Sequence, residues 1–242
     1  MPRPKRSPNS HRRLKERPSF VSRLTRQLDL GLLFIPDRPI KKSMMLGAVY
    51  FLLGDSAPRD AFIASELKKR IGHHFSCWTD QHDIHSFEDR YYRRFRHRAR
   101  AFRTFMAERP RQQPVILMGR SSGARVASFC ASSCRADAVV CLGYPFRHPD
   151  KDQEPDRYQH LATIAIPTLI LQGRSDPYGR ADDISAYALS TSVCVQLIQT
   201  DHHMRLRPDE WDEAASTILA FCHDVLGSQL PVRASAPPPT PS

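Results

Sequence analysis

The chain has 242 residues, of which 40% are hydrophobic, and a formal net charge of +11. That length suits one large domain built on a single sheet with helices on both faces, and the absence of any run of 18 apolar residues argues against a transmembrane span. The charge is concentrated: residues 1–26 hold nine Lys or Arg against Glu16, and residues 90–103 hold seven Arg and no acid, so the rest of the chain is slightly acidic.

In chain order, residues 1–40 read as a basic, proline-punctuated arm, expected to be largely disordered, in which the apolar piece 28–35 is the part expected to dock on the domain. Its early prolines suit an amphipathic targeting helix poorly. Residues 46–53 (LGAVYFLL) read as a buried strand ending at Gly54. Residues 60–71 read as a helix with Phe62, Ile63, Leu67 and Ile71 on one face and Gly72 as its stop. A weaker strand follows at 74–79, then a long helix over 88–108 closed by Pro110. On that helix Tyr92, Phe95, Ala99 and Phe102 are spaced by three, four and three, so they pack on the sheet and the arginines read as a solvated face. Strands are expected at 115–118, 138–142, 168–171 and 193–198, and helices at 123–133, near 182–189 and over 208–226. The tail 231–242 carries five prolines and reads as disordered or polyproline-like. The domain itself is thus expected over 41–230. Alternation of strands and helices implies a mostly parallel sheet of about six strands. Ligands in such sheets bind at the carboxyl ends of the strands.

The six cysteines lie mostly in apolar segments without a Cys-x-x-Cys pair, and no secretory signal precedes them. Reduced thiols and a cytoplasmic location are expected.

One turn stands at such a carboxyl end. Gly119-Arg120-Ser121-Ser122-Gly123 follows the 115–118 strand and precedes a helix, the context of a nucleophile elbow with Ser121 at its tip. The helix begins with free N–H groups of partial positive charge, so the Ser122 N–H is a candidate oxyanion donor. A serine nucleophile needs a base, and the base an orienting acid. Asp176, in Gly173-Arg174-Ser175-Asp176-Pro177, follows the 168–171 strand; His202, in Asp201-His202-His203, follows the 193–198 strand. Each alone is an ordinary loop residue, but together they stand in the order nucleophile, acid, histidine. Tyr144, His148 and Arg120 are expected to line the pocket. Asp80-Gln81-His82-Asp83-Ile84-His85 has the density of a metal site, yet nothing nearby completes a coordination sphere. It reads as a polar loop, and neither metal nor cofactor is expected.

Several ordered motifs extend the pattern: Gly119-Arg120-Ser121-Ser122-Gly123-Ala124-Arg125, Leu142-Gly143-Tyr144-Pro145-Phe146 with His148-Pro149, Arg157 with His160-Leu161, Pro167-Thr168-Leu169-Ile170, Gln172 to Gly179, and Asp201-His202 with Arg205 and Arg207. On these residues the stretch 115–207 resembles the α/β-hydrolase-like domain shared by testis-expressed hydrolase-like proteins and a subunit of the NSL histone-acetyltransferase complex, a group related to dienelactone hydrolases. The resemblance implies an α/β-hydrolase fold with a small lid or none, Ser121 as nucleophile, Asp176 as acid and His202 as base. The group carries a His-Gly-x-Gly loop after its first strand, supplying a second oxyanion N–H; here Leu53-Gly54-Asp55-Ser56-Ala57-Pro58 takes its place. Gly54 and Asp55 are therefore the candidates for that donor, with an acid standing where negative charge would develop. Ser122 also replaces a larger residue, and Thr200 a glycine.

Two functions follow. The first is a serine hydrolase acting on a small ester, thioester or amide. The second is a catalytically weak or inactive interaction module whose basic patches, the arm 1–40 and the Arg90–Arg103 run, bind an acidic partner or, as the weaker expectation, nucleic acid.

Overall fold

The computed structural model describes residues 45–80, 94–151 and 154–227. Six strands form one all-parallel sheet: β1 (Ala48–Leu52), β2 (Cys77–Asp80), β3 (Val115–Arg120), β4 (Ala138–Leu142), β5 (Thr168–Gly173) and β6 (Val193–Ile198). Their order across the sheet is β2-β1-β3-β4-β5-β6. After β1 the chain goes outward to β2, then returns to the other side of β1 as β3. The carboxyl ends of β1 and β3, paired at Leu52 and Gly119, therefore flank the point where strand order reverses, the usual place for a ligand crevice.

Parallel strands covered on both faces must be apolar throughout, and β3, β4 and β5 are buried along their whole length. Successive side chains alternate between two cores. Ile116, Met118, Val140 and Leu171 pack under helices α1 (Ala57–Ile71) and α4 (Pro208–Leu226), against Leu67, Trp211 and Phe221 among others. Leu117, Val139, Cys141 and Ile170 face the second core, under α2 (Phe95–Ala107) and α3 (Ser122–Cys130), with Phe102 and Val126. Each fully buried Leu, Val, Ile or Phe contributes about 1.5–3 kcal/mol.

The expected strands are all present, with ends that move. β3 runs on to Arg120 and β5 to Gly173 because the ladder continues there, pairing Arg120 with Leu142 and Gly173 with Ile198. The helix expected near 182–189 is instead a 3-10 segment, Ala181–Ala186. Tyr187 leaves helical geometry to stack on Phe146 at 4.6 Å. Ile184, Tyr187 and Leu189 thereby all reach the second core, a spacing an α-helix cannot satisfy. Helix α2 begins at Phe95; the upstream part of the helix expected over 88–108 lies outside the described residues, as do the arm 1–40 and the tail 231–242. All six cysteines are free thiols. Among the described residues no helix is long and apolar enough to cross a membrane.

Candidate active site

Ser121 occupies the tight turn between β3 and α3 with φ 50° and ψ −120°. A non-glycine residue in that region is strained by about 1–3 kcal/mol and persists only where its surroundings impose it. They do so here. The Ser121 N–H donates to the Leu142 carbonyl at 3.0 Å, and its carbonyl accepts from the Ala124 and Arg125 amides at 2.9 and 3.3 Å. The flanking glycines permit the approach: a Cβ on Gly119 would lie 2.5 Å from the Gly123 carbonyl oxygen, and one on Gly123 would strike the carbonyl oxygens of Leu52 and Leu53. Because those obstacles are backbone at the carboxyl end of β1, Gly123→Ala should destabilise the fold by at least about 1–3 kcal/mol. A shift of the urea midpoint to lower concentration is the expected reading; an unchanged midpoint would mean that α3 can move away from β1.

Three side chains converge at this turn. Ser121 Oγ lies 3.1 Å from His202 Nε2, and His202 Nδ1 lies 2.8 Å from Asp176 Oδ2. Asp176 is wholly buried, and both of its oxygens are engaged further. Oδ1 accepts the Tyr178 N–H at 2.8 Å, and Oδ2 also accepts Gln172 Nε2 at 3.0 Å. Gln172 is itself fixed, donating to the Gly179 carbonyl and accepting from the Tyr144 N–H at 2.7 Å. The Tyr178 ring lies 4.2 Å from the His202 ring, which confines the imidazole from the side.

The loop carrying His202 is held by its backbone. Arg120 Nη2 donates to the His202 carbonyl, while Arg59 donates to the carbonyls of His203 and Met204 at 2.7 Å each. Arg120, expected to line the pocket, is instead buried beneath the elbow, where its Nε lies 3.6 Å from Asp60 Oδ1. Burial pulls the Arg120 pKa down, while Asp60 and Asp176 push it up. Burial likewise raises the Asp60 carboxyl above its ordinary value, against the opposing pull of Arg120. Asp60 Oδ2 also accepts the Ser56 N–H at 3.1 Å. One buried ion pair thus connects the loop after β1 with the loop after β6.

Gly54 runs directly against the elbow: a Cβ there would fall 3.1 Å from Ser121 Cβ and 3.0 Å from the Arg120 carbonyl oxygen. Asp55, the acid whose place in this loop was unfavourable for an oxyanion, has a side chain 61% exposed that reaches Arg98 Nη1 at 3.3 Å. Ser122 occupies the first position of α3, where a helix leaves its N–H without an intrahelical partner.

A profile of the alpha/beta hydrolase domain matches residues 80–225, more than half of the chain. The chain belongs to the alpha/beta hydrolase domain family. Solved structures agree on the fold. A YdeN-like protein from Pectobacterium atrosepticum is 18% identical with a TM-score of 0.54, covering 74% of this chain and 92% of that one. The esterase domain of a Rhodothermus marinus protein is 14% identical with a TM-score of 0.53, covering 78% and 91%. An alpha-beta serine hydrolase homologue from Coxiella burnetii is 15% identical with a TM-score of 0.53, covering 75% and 88%. No curated protein matches the chain.

In this hydrolase-family chain the remaining expected pocket residues divide. His148 is partly exposed and its ring lies 5.8 Å from that of Tyr178, one residue outward from His202. Tyr144, expected to line the pocket, is instead fully buried in the second core, packed on Phe146 at 4.7 Å with its hydroxyl donating to the Arg157 carbonyl. Residues 82, 83 and 85 of the polar loop lie outside the described residues, and among the described residues no cluster of His, Cys, Asp and Glu is arranged to hold a metal ion.

A second serine–histidine contact is structural. Ser128 Oγ lies 2.9 Å from His160 Nε2, but Ser128 is buried in α3 and bonds back to the Arg125 carbonyl. Burial, and then the Arg125 charge, push the His160 pKa down from 6.5 to about 4. His74 and His223 are lowered chiefly by burial. A depressed folded-state pKa means the neutral ring is favoured on folding. That stability is complete above pH 6.5 and is lost as pH falls through about 4. His160 alone would contribute up to about 3 kcal/mol of this loss. Urea unfolding at pH 7.5 and 4.5 should show it, and His160→Gln should narrow the difference between the two.

Proposed function

We propose that this protein is a serine hydrolase acting on a small ester, thioester or amide through Ser121, His202 and Asp176. The observation that carries the reading is the continuous chain of contacts from Ser121 Oγ through His202 to a buried, fully hydrogen-bonded Asp176. In the reaction, Ser121 Oγ attacks the acyl carbonyl as His202 Nε2 takes its proton. The resulting imidazolium is held by the Asp176 carboxylate. The oxyanion is met by the Ser122 N–H and by that of Gly54 or Asp55. Collapse expels the alcohol, thiol or amine, which receives the proton from His202. Water, deprotonated by the same ring, then releases the acid and restores Ser121.

The outward turn of Asp55 toward Arg98 supports activity, since its carboxylate need not face the developing charge. The motif around Gly143-Tyr144-Pro145-Phe146 supports a place nearer the testis-expressed and NSL-subunit group than to other hydrolases. We place the enzyme domain at 41–230 and assign the basic arm 1–40 to an acidic partner, in a cytoplasmic setting. Salt-insensitive binding of that arm would contradict the electrostatic assignment.

The test of the activity is a series of p-nitrophenyl esters of increasing acyl length together with an acyl thioester. Turnover above the buffer rate with at least one of them, lost in Ser121→Ala, is expected. Equal rates for the two proteins across the series would overturn the reading.

A further inference from the structure

Helix α2 carries an arginine on its buried face. Phe95, Arg98, Ala99, Phe102 and Met106 follow helical spacing toward the second core, and Arg98 is only 4% exposed. Burying a guanidinium is costly unless it is paired and hydrogen-bonded, and burial lowers its pKa while Asp55 and Asp60 raise it. An aliphatic side chain would serve packing at this position without that cost. What distinguishes Arg98 is where its hydrogens go. Nη2 donates to the Leu53 carbonyl, and Nη1 reaches Asp55 Oδ1 at 3.3 Å and Ser122 Oγ at 2.8 Å. Leu53 and Asp55 flank Gly54 in one of the two loops assigned to the oxyanion, and Ser122 belongs to the other.

We propose that Arg98 is the positioning residue of the oxyanion site. It fixes the spacing between the Leu53–Asp55 loop and the start of α3, and it draws the Asp55 carboxylate away from the crevice. This rests on the hydrolase reading and deepens it: Arg98 holds in place the loop that stands where the related group has a His-Gly-x-Gly loop. The planar fork suits the role, because one guanidinium can meet a carbonyl, a carboxylate and a hydroxyl at fixed angles. Arg98 touches no reacting atom and acts through the amides it places.

The experiment uses the full chain and whichever p-nitrophenyl ester turns over fastest. Arg98→Met should lower kcat by about 10²–10³, the effect of a lost oxyanion donor, with KM within about twofold. Arg98→Lys, which keeps the charge but not the fork, should fold as the wild type does and still lose about tenfold in kcat. Adding Asp55→Asn to Arg98→Met should restore kcat about tenfold, because the freed carboxylate no longer opposes the oxyanion; a purely structural arginine would show no such recovery. Hydrogen exchange at residues 54–56 should quicken in Arg98→Lys. An active wild type whose folded Arg98→Lys variant keeps full kcat and unchanged exchange overturns the role of Arg98 alone. A wild type that turns over no ester overturns the hydrolase reading, and this role with it.

Discussion

Ser121→Ala is expected to remove nearly all ester turnover, a loss of up to about 10⁶ in kcat, because the nucleophile and its base act as a unit. The substitution should leave the fold intact. The turn is held by backbone bonds from Ser121 to Leu142, Ala124 and Arg125, and none of these needs the hydroxyl. Alanine does inherit the strained φ of 50°, so no gain in stability is expected from it. Substrate should still bind, since the pocket loses one oxygen atom. A variant that retained more than about a hundredth of the wild-type kcat would mean another group attacks the carbonyl. Ser122 would then be the first alternative, and its hydroxyl is already engaged by Arg98.

Asp176→Asn should cost about 10⁴ in kcat with little change in KM. The reason lies in the donors that surround this carboxylate. Oδ2 faces Gln172 Nε2 and His202 Nδ1, and Oδ1 faces the Tyr178 N–H. An amide whose NH2 takes the Oδ2 place meets the Gln172 donor head-on and forces the proton of His202 onto Nε2, where it can no longer accept from Ser121. The opposite rotamer sets that NH2 against the Tyr178 amide. Either arrangement costs stability as well, on the order of 1–3 kcal/mol for a buried polar group left unpaired. Kinetics and a urea titration on the same preparation separate the two losses, and a kcat within tenfold of wild type would show that Asp176 does not set the tautomer.

The elbow was the most legible feature of the sequence, because its signal is local: a strand, two glycines around a serine, and a helix within a dozen residues. Asp176 and His202 could be read for a similar reason, each lying directly after an apolar run that made a strand. The groups that hold these residues were not readable in that way. Arg120 and Arg59 act by donating to carbonyls 82 to 145 positions away, and backbone acceptors leave no mark on a sequence. Arg120, an expected pocket residue, points inward from the end of β3, to Asp60 and the His202 carbonyl. Whether the Asp55 carboxylate faces the oxyanion or turns outward depends on its partner, which the local sequence does not show. That partner, Arg98, did carry a signal, since it falls between Phe95 and Phe102 on the apolar stripe, but the surrounding run of arginines disguised it as part of a solvated face. The helix expected near 182–189 failed for a tertiary reason, the pull of Phe146 on Tyr187.

The hydrolase assignment requires that Ser121 be an activated nucleophile. Treating the full chain with a fluorophosphonate and mapping the adduct by mass spectrometry tests this without knowledge of the natural substrate. The expected result is one phosphonylated residue, Ser121, formed quickly at pH 7.5 and absent from Ser121→Ala. A wild-type chain that takes up no more reagent than Ser121→Ala, or takes it up elsewhere, would contradict the assignment.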